Sequence, residues 1–219
     1  MEKYSRLRDL VSELPNLFLI EAPAASDTQL LYAHDASYLL RVTSGKLSDA
    51  EQKEIGFPWS EKMVERSRRS AGATIAATKS AMQEGISGNL AGGTHHAYRN
   101  RGSGFCVFND AAVAARTLQK EVSSKLKVAI IDLDVHQGNG TAKIFESDDR
   151  VFTFSMHGQS NYPLQKEQSL VTDDTPTQKQ LDWAAGYGVC DACSMNDPSL
   201  QRFRGFAIQT RRAAGIMRY

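Results

Sequence analysis

The chain has 219 residues, a length typical of one domain, and its 41% hydrophobic and 23% charged residues indicate a globular protein with a buried core. The 26 Lys and Arg residues nearly balance the 25 Asp and Glu residues, so a net charge of +1 gives no basic surface for nucleic acid or an anionic membrane. No apolar run approaches the roughly 18 residues of a membrane span, and the start of the chain lacks a signal-peptide core. Three cysteines, an odd number, argue against a disulfide framework and fit a reducing compartment. We therefore expect a soluble, cytoplasmic protein, and nothing in the pattern indicates an oligomeric state.

The first third of the chain contains mainly helical patterns. Apolar residues at helical spacing predict a short helix over residues 3–14, a second over 35–42 and a long helix that begins at Ser60, a suitable N-cap. Four consecutive apolar residues at 17–20 predict a short strand. Residues 49–60 are polar and interrupted by glycine and proline, so a surface loop is expected there.

The second half has the pattern of an α/β fold. Residues 85–104 are rich in small polar residues, and an alanine-rich helix is predicted over 109–122. Two apolar runs at 128–131 and 151–155 are typical of buried parallel strands, with a helix near 140–146 between them. A strand, a helix and a second strand at this spacing predict an open, mainly parallel sheet flanked by helices.

The segment 130–140 has the strongest chemical signal. Alternate residues of a strand face the same side, so Asp132, Asp134 and His136 are expected together at the carboxyl end of a buried strand, where ligands bind in parallel sheets. A buried carboxylate needs a partner, and these side chains suit zinc or another divalent transition metal. The alternative is a hydrogen-bonded Asp–His network. Gly138 stands where a binuclear manganese site of the arginase type would want a carboxylate, which favours a single metal.

The adjacent His95 and His96 in a glycine-rich loop are the second signal. They are either exposed polar residues or candidates for general acid–base catalysis, because imidazole titrates near neutral pH. Asp132 could orient one imidazole if it does not bind the metal. Asn139 could hold the other.

Three neighbouring residues have two interpretations each. Phe105 either lines an apolar channel or is a core aromatic residue. Cys106 is expected to be a small buried hydrophobe rather than a nucleophile, and Asn109 a helix cap rather than a catalytic group.

Four strings resemble the histone deacetylase superfamily, particularly its bacterial amidohydrolases: GGTHHA, GFCVFNDAAVAA, IDLDVHQGNGTA and VFTFSMHG. The resemblance covers residues 1–169, which are expected to form a partial deacetylase-like domain. It implies an arginase-like α/β fold and zinc-dependent hydrolysis of an N-acyl amide. The implied substrate is an acylated amine, either acetyl-lysine or a polyamine-like amine.

The resemblance also implies roles for individual residues. Asp134 and His136 would be zinc ligands. His95 and His96 would be the paired catalytic imidazoles, with His96 preferred as the proton shuttle and Asp132 behind His95.

Further implied roles concern Asn139, the substrate tunnel and a second cation. Asn139 stands where some members of the superfamily carry Asp, and it would support His96. The substrate tunnel would be lined by Gly104, Phe105 and Tyr162. A structural potassium ion would be bound, partly through main-chain oxygens, by Asp132, Asp134, His136, Ser155 and Met156.

The last part of the chain departs from this pattern. The superfamily has its third zinc ligand, an Asp, and its oxyanion-stabilising Tyr further along the chain, and neither motif follows Ser169. Residues 170–219 show no pattern of a buried strand and are expected to be a divergent tail, disordered or frameshifted, and the chain is expected to be truncated at both ends. Two functions remain open: a zinc deacetylase, or an inactive fragment or metal-poor binding domain of the same family.

Overall fold

The computed structural model describes residues 2–158, 160–167 and 215–218. Within these ranges the chain forms seven helices and three strands, and the three strands form one sheet. In chain order they are α1 (Glu2–Ser12), α2 (Asp27–Leu31), α3 (Ala36–Thr43), α4 (Asp49–Ile55), α5 (Glu61–Glu84), α6 (Asp110–Glu121), β1 (Val128–Asp132), α7 (Asn139–Phe145), β2 (Val151–Ser155) and β3 (Gly215–Arg218).

The sheet has the order β2-β1-β3, and both outer strands run parallel to β1. The last residue of β1, Asp132, pairs with the last residue of β2, Ser155. Because parallel strands end at the same edge, this register places the loops after β1 and β2 side by side. The predicted parallel α/β architecture is confirmed.

The strand β3 lies in the segment whose sequence shows no pattern of a buried strand. It pairs with β1 from Gly215 opposite Ala129 to Arg218 opposite Asp132. The segment Gly-Ile-Met-Arg has neither a continuous apolar run nor a strict alternation of apolar and polar residues, so the sequence did not indicate this strand. Residues 215–218 thus form a strand within the predicted tail. Residues 168–214 lie outside the described residues, and the assignment of the tail stays a prediction.

The core is formed where α5 packs on α6, and the same hydrophobic cluster includes the buried residues of β1. The alanines of α6 allow this close packing, because a methyl side chain keeps the neighbouring helix near the backbone. The buried residues of this core include Ala111, Ala112, Val113, Ala114 and Ala115 of α6 and Val128 and Ile130 of β1. Within the described residues, no helix combines the length and the apolar character needed to span a lipid bilayer.

Two N-terminal predictions differ from the structure. Residues 17–20 form no strand, and Phe18 and Ile20 are 91% and 87% exposed, because an apolar run pairs only where another strand lies beside it. Residues 49–55 form α4 instead of a loop. A capping box begins this helix: Ser48 Oγ accepts from the Glu51 backbone N–H, and the Ser48 backbone N–H donates to Glu51.

The other predicted helices are present with small shifts at their ends. Ser60 caps α5, since its Oγ accepts a hydrogen bond from the Met63 backbone N–H at 3.1 Å. Asn109 caps α6 in the same way through the Ala112 backbone N–H at 3.0 Å, as the sequence predicted.

His34 is buried beside the first turn of α6 and ties the N-terminal helices to it. Its Nε2 accepts a hydrogen bond from the Asn109 backbone N–H at 3.0 Å, and its Nδ1 lies 3.3 Å from the Arg99 carbonyl oxygen. The ring is therefore neutral, with the proton on Nδ1. Burial lowers its pKa from 6.5 to about 4.

This buried histidine predicts a loss of stability in acid. Between pH 6.5 and pH 4 the unfolded chain binds a proton at this position that the folded chain does not. His34 therefore makes the free energy of unfolding decrease as the pH falls through that window, by at most about 3 kcal/mol, whereas above pH 6.5 it causes no loss. Urea unfolding between pH 7 and pH 4 should show a shallower decrease in His34→Gln than in the wild type. Equal slopes in the two proteins would contradict the prediction.

Candidate active site

The histidine pair and the residues after β1 line one cleft. His95 and His96 lie on the loop that precedes α6, whereas Asp134 and His136 lie in the turn between β1 and α7. The exposed ring of Phe105 lies at the same cleft. The structure thus brings together groups that are about 40 residues apart in the sequence.

His95 is held by a buried carboxylate. Its Nδ1 lies 2.5 Å from Asp132 Oδ2, and both side chains are almost completely buried. The other carboxylate oxygen of Asp132 accepts the Asp134 backbone N–H at 3.0 Å. Because an ionised carboxylate only accepts hydrogen bonds, His95 carries a proton on Nδ1.

His96 is held by an amide instead. Its Nδ1 lies 2.7 Å from Asn139 Oδ1, and its ring centroid lies 4.1 Å from that of His95. Burial, and next the neighbouring His95, lower the pKa of His96 to about 4. His96 is therefore neutral near pH 7 and can accept a proton.

Asp134 and His136 differ from Asp132 in their exposure. The strand ends at Asp132, and the side chains of Asp134 and His136, in the turn beyond it, are 38% and 42% exposed. Asp134 Oδ1 accepts the His136 backbone N–H at 2.8 Å and lies 3.0 Å from His136 Nδ1. Burial would raise the pKa of Asp134, but the hydrogen bond from the His136 backbone and the nearby His95 lower it below its usual range. This carboxylate stays ionised at the cleft.

These two side chains have the donor chemistry of a zinc site but do not complete one. A carboxylate oxygen and an imidazole nitrogen are both common zinc ligands. Among the described residues, no group of three or more His, Cys, Asp and Glu side chains is arranged to hold a metal ion. A complete site at Asp134 and His136 needs a further ligand from outside the described residues.

Aromatic rings lie beside the histidine pair and at the cleft. Phe105 is 66% exposed, so it is not the core aromatic residue that the sequence left as an alternative. Its backbone has a positive φ of 65°, and its ring packs against Phe57 with the centroids 5.7 Å apart. Tyr162 contacts the His96 ring edge-on at 4.9 Å, and its hydroxyl lies 2.6 Å from Ser103 Oγ. The sequence did not reveal Phe57, because no local pattern indicates its contact with Phe105.

The proposed potassium-site residues lie near the Asp132 main chain. The Met156 backbone N–H donates to the Asp132 carbonyl at 2.9 Å, and Ser155 Oγ accepts the Gly138 N–H at 3.2 Å. The loops after β1 and β2 are therefore joined by hydrogen bonds beneath the cleft. A potassium ion at this point stays a prediction.

Gly104 is surrounded by residues of the site. Its φ is +52°, and a Cβ built there would lie 2.7 Å from His96 Cδ2 and 2.9 Å from a ring carbon of Tyr162. Only a residue without a side chain therefore allows the tyrosine and the imidazole to approach each other here.

Gly104→Ala should therefore destabilise the protein. The positive φ alone costs about 1–2 kcal/mol for an L-residue, and the contact with His96 adds to this. Urea unfolding at pH 7 should show the loss. Gly88→Ala is the matched control, because a methyl group there meets nothing within 4 Å. Equal free energies of unfolding for the two variants would refute the packing described for Gly104.

Comparison with known proteins identifies relatives that cover most of the chain. The histone deacetylase domain model matches residues 1–194. An uncharacterized protein of Picosynechococcus is 46% identical over 136 residues, which are 62% of this chain and 45% of that protein. The acetoin utilization protein AcuC of Bacillus subtilis is 35% identical over 148 residues, 63% of this chain and 38% of AcuC.

Solved structures agree with these sequence matches. A histone deacetylase homologue from Aquifex aeolicus has a TM-score of 0.64 and 26% identity, and the match covers 74% of this chain and 46% of that chain. A homologue in complex with SAHA has the same TM-score and coverage at 27% identity. This chain therefore spans less than half the length of these relatives.

Proposed function

Because the chain belongs to the histone deacetylase family, we propose that the protein is a zinc-dependent deacetylase that removes acetyl or other acyl groups from lysine or polyamine-like amines. The observation that carries this proposal is the histidine pair: two buried, adjacent imidazoles, each held at Nδ1, beside Asp134 and His136. Such a pair suits the proton transfers of amide hydrolysis. A cytoplasmic location remains a prediction from the sequence.

In this proposal the two histidines have different roles. His96 is the general base and later the general acid: it accepts a proton from the attacking water and gives it to the leaving amine. Its lowered pKa keeps it neutral at pH 7, and Asn139 Oδ1 accepts a hydrogen bond from its Nδ1. The carboxylate of Asp132 accepts the Nδ1 proton of His95, which fixes the orientation of this second imidazole beside His96 at the cleft.

Asp134 and His136 would hold the zinc ion together with a ligand from outside the described residues. When bound, zinc supplies Lewis acidity, which polarises an amide carbonyl and acidifies water. Both side chains are partly exposed at the cleft, so they are accessible to an ion. A potassium ion beside Asp132, Ser155 and Met156 is part of the same proposal and would stabilise the turn that presents these ligands.

Phe105 and Tyr162 would bind the acyl-amine chain. Both rings are partly exposed: Phe105 lines the cleft, and Tyr162 is held beside His96 by its contacts with Ser103 and His96. An apolar passage between rings suits the methylene groups of a lysine or polyamine side chain. Gly104 would keep this passage open next to His96.

Zinc content tests the ligand assignment. Protein purified without chelator should contain about one zinc per chain, measured by elemental mass spectrometry. Asp134→Ala should lose it, since too few ligands would remain to bind the ion. Asp9→Ala, which removes an exposed carboxylate on α1, should keep the metal. Zinc retained in Asp134→Ala would refute the assignment, and no zinc in the wild type would favour the metal-poor binding domain.

Hydrolysis of an acetyl-lysine peptide tests the role of the histidine pair. In zinc-loaded protein, His96→Gln should lower kcat/KM by about 10²–10⁴ through loss of general acid–base catalysis. Its zinc content should stay at the wild-type level, because His96 is no proposed ligand. Asp9→Ala should have wild-type activity. A rate for His96→Gln within a few-fold of the wild type would exclude His96 as the base.

A further inference from the structure

A chain of hydrogen bonds leads from His96 away from the cleft to Glu167. His96 Nδ1 lies 2.7 Å from Asn139 Oδ1, and Asn139 Nδ2 lies 2.8 Å from the hydroxyl of Tyr98. That hydroxyl lies 3.1 Å from Glu167 Oε1. Asn139 and Tyr98 are buried, so water does not compete for most of these hydrogen bonds.

The direction of each bond follows from the carboxylate at the far end. Glu167 only accepts, so the single hydroxyl proton of Tyr98 goes to Glu167. The Tyr98 oxygen is then an acceptor, and Asn139 turns its NH₂ group toward it. Asn139 Oδ1 consequently faces His96 and requires the proton of that ring on Nδ1.

The reversed orientation of Asn139 is disfavoured. If the amide were flipped, its oxygen would face the Tyr98 oxygen, whose proton is already donated to Glu167. Its NH₂ group would face His96 Nδ1 and would require the tautomer with the proton on Nε2. Two buried acceptors in contact and a lost hydrogen bond are both unfavourable.

Other contacts hold Glu167 and Tyr98 in place. The backbone of Glu167 is bound on both sides by Gln137, whose amide accepts the Glu167 N–H at 2.8 Å and donates to the Glu167 carbonyl at 2.9 Å. The guanidinium of Arg101 lies 3.7 Å from the centroid of the Tyr98 ring. Burial and the bond to Glu167 raise the pKa of Tyr98 to about 12, so its hydroxyl stays a donor at neutral pH.

We propose that Glu167, acting through Tyr98 and Asn139, is a positioning residue that fixes the proton of His96 on Nδ1 and leaves the lone pair of Nε2 toward the cleft. Nε2 has no hydrogen-bond partner among the described residues, and it is not among their fully buried unsatisfied atoms. A carboxylate like Asp132 accepts at either oxygen, but an amide has a direction and needs a partner that sets it. The importance of this tautomer for catalysis rests on the proposed function, whereas the tautomer itself does not.

The tautomer can be measured without any activity. The chain has five histidines, so ¹H–¹⁵N correlation spectra of ¹⁵N-histidine-labelled full-length protein near pH 7 resolve each ring. His96→Gln identifies the His96 signals by their loss. In the wild type we expect His96 with its proton on Nδ1.

Two variants interrupt the series of hydrogen bonds from His96 to Glu167. Tyr98→Phe keeps the ring but removes the acceptor of Asn139, so the ratio of the two His96 tautomers should shift toward Nε2–H by about twofold to tenfold, the effect of one hydrogen bond. Glu167→Ala should shift the ratio in the same direction, because the Tyr98 proton becomes free to turn toward Asn139. Tyr38→Phe is the matched control: it removes another buried tyrosine hydroxyl, which donates to the Val107 carbonyl, and should leave His96 unchanged.

A double variant distinguishes orientation from packing. In Tyr98→Phe/Asn139→Asp the carboxylate needs no orienting partner, so His96 should return to the Nδ1–H form. Failure of this rescue, an Nε2–H tautomer in the wild type, or an unchanged ratio in Tyr98→Phe would each overturn the proposal. An unchanged ratio in Glu167→Ala alone would overturn the role of Glu167. If the protein proved not to be a deacetylase, these spectra would be unaffected, so the two failures are distinguishable.

Discussion

The buried N-terminus of α6 is the constraint on which the arrangement of the site depends. The carboxylate of Asp110 is completely buried and accepts hydrogen bonds from the backbone N–H and hydroxyl of Thr94 and from the hydroxyl of Thr74 on α5. Asn109 donates to the carbonyl of Ala97. The loop with the two histidines is therefore attached at both ends to one helix terminus, whose dipole favours the negative charge of Asp110. Because any movement of this loop would leave the buried carboxylate without its hydrogen-bond donors, the loop is held in a single position.

From this fixed loop, two imidazoles extend toward partners of different chemistry. Asp132 places a negative charge against His95, whereas Asn139 offers His96 a neutral oxygen. The two rings therefore differ in what holds them. A carboxylate fixes His95 at Nδ1, whereas an amide oxygen fixes His96, whose pKa burial lowers to about 4, so that His96 is neutral near pH 7 and can accept a proton.

The sequence predicted the parts of the fold that have a local pattern. Apolar periodicity indicated the long helix α5 and the strand β1, and the DLDVH segment indicated a polar strand end. The capping box at Ser48 and Glu51 was also readable, but nearby glycine and proline suggested a loop. Contacts between distant segments left no such pattern. Tyr98 and Glu167 are 69 residues apart, and only the folded chain shows that they meet.

Residues 160–167 connect two functions of the cleft. They include Tyr162, whose ring lies against His96, and Glu167, which binds Tyr98 behind His96. Gln137, one residue after His136, holds the backbone of Glu167. A displacement of this segment would thus move a wall of the proposed tunnel and remove the acceptor that orients the Asn139 amide. One segment therefore contributes both a wall of the proposed tunnel and the carboxylate that orients the Asn139 amide, so a movement of residues 160–167 would affect both.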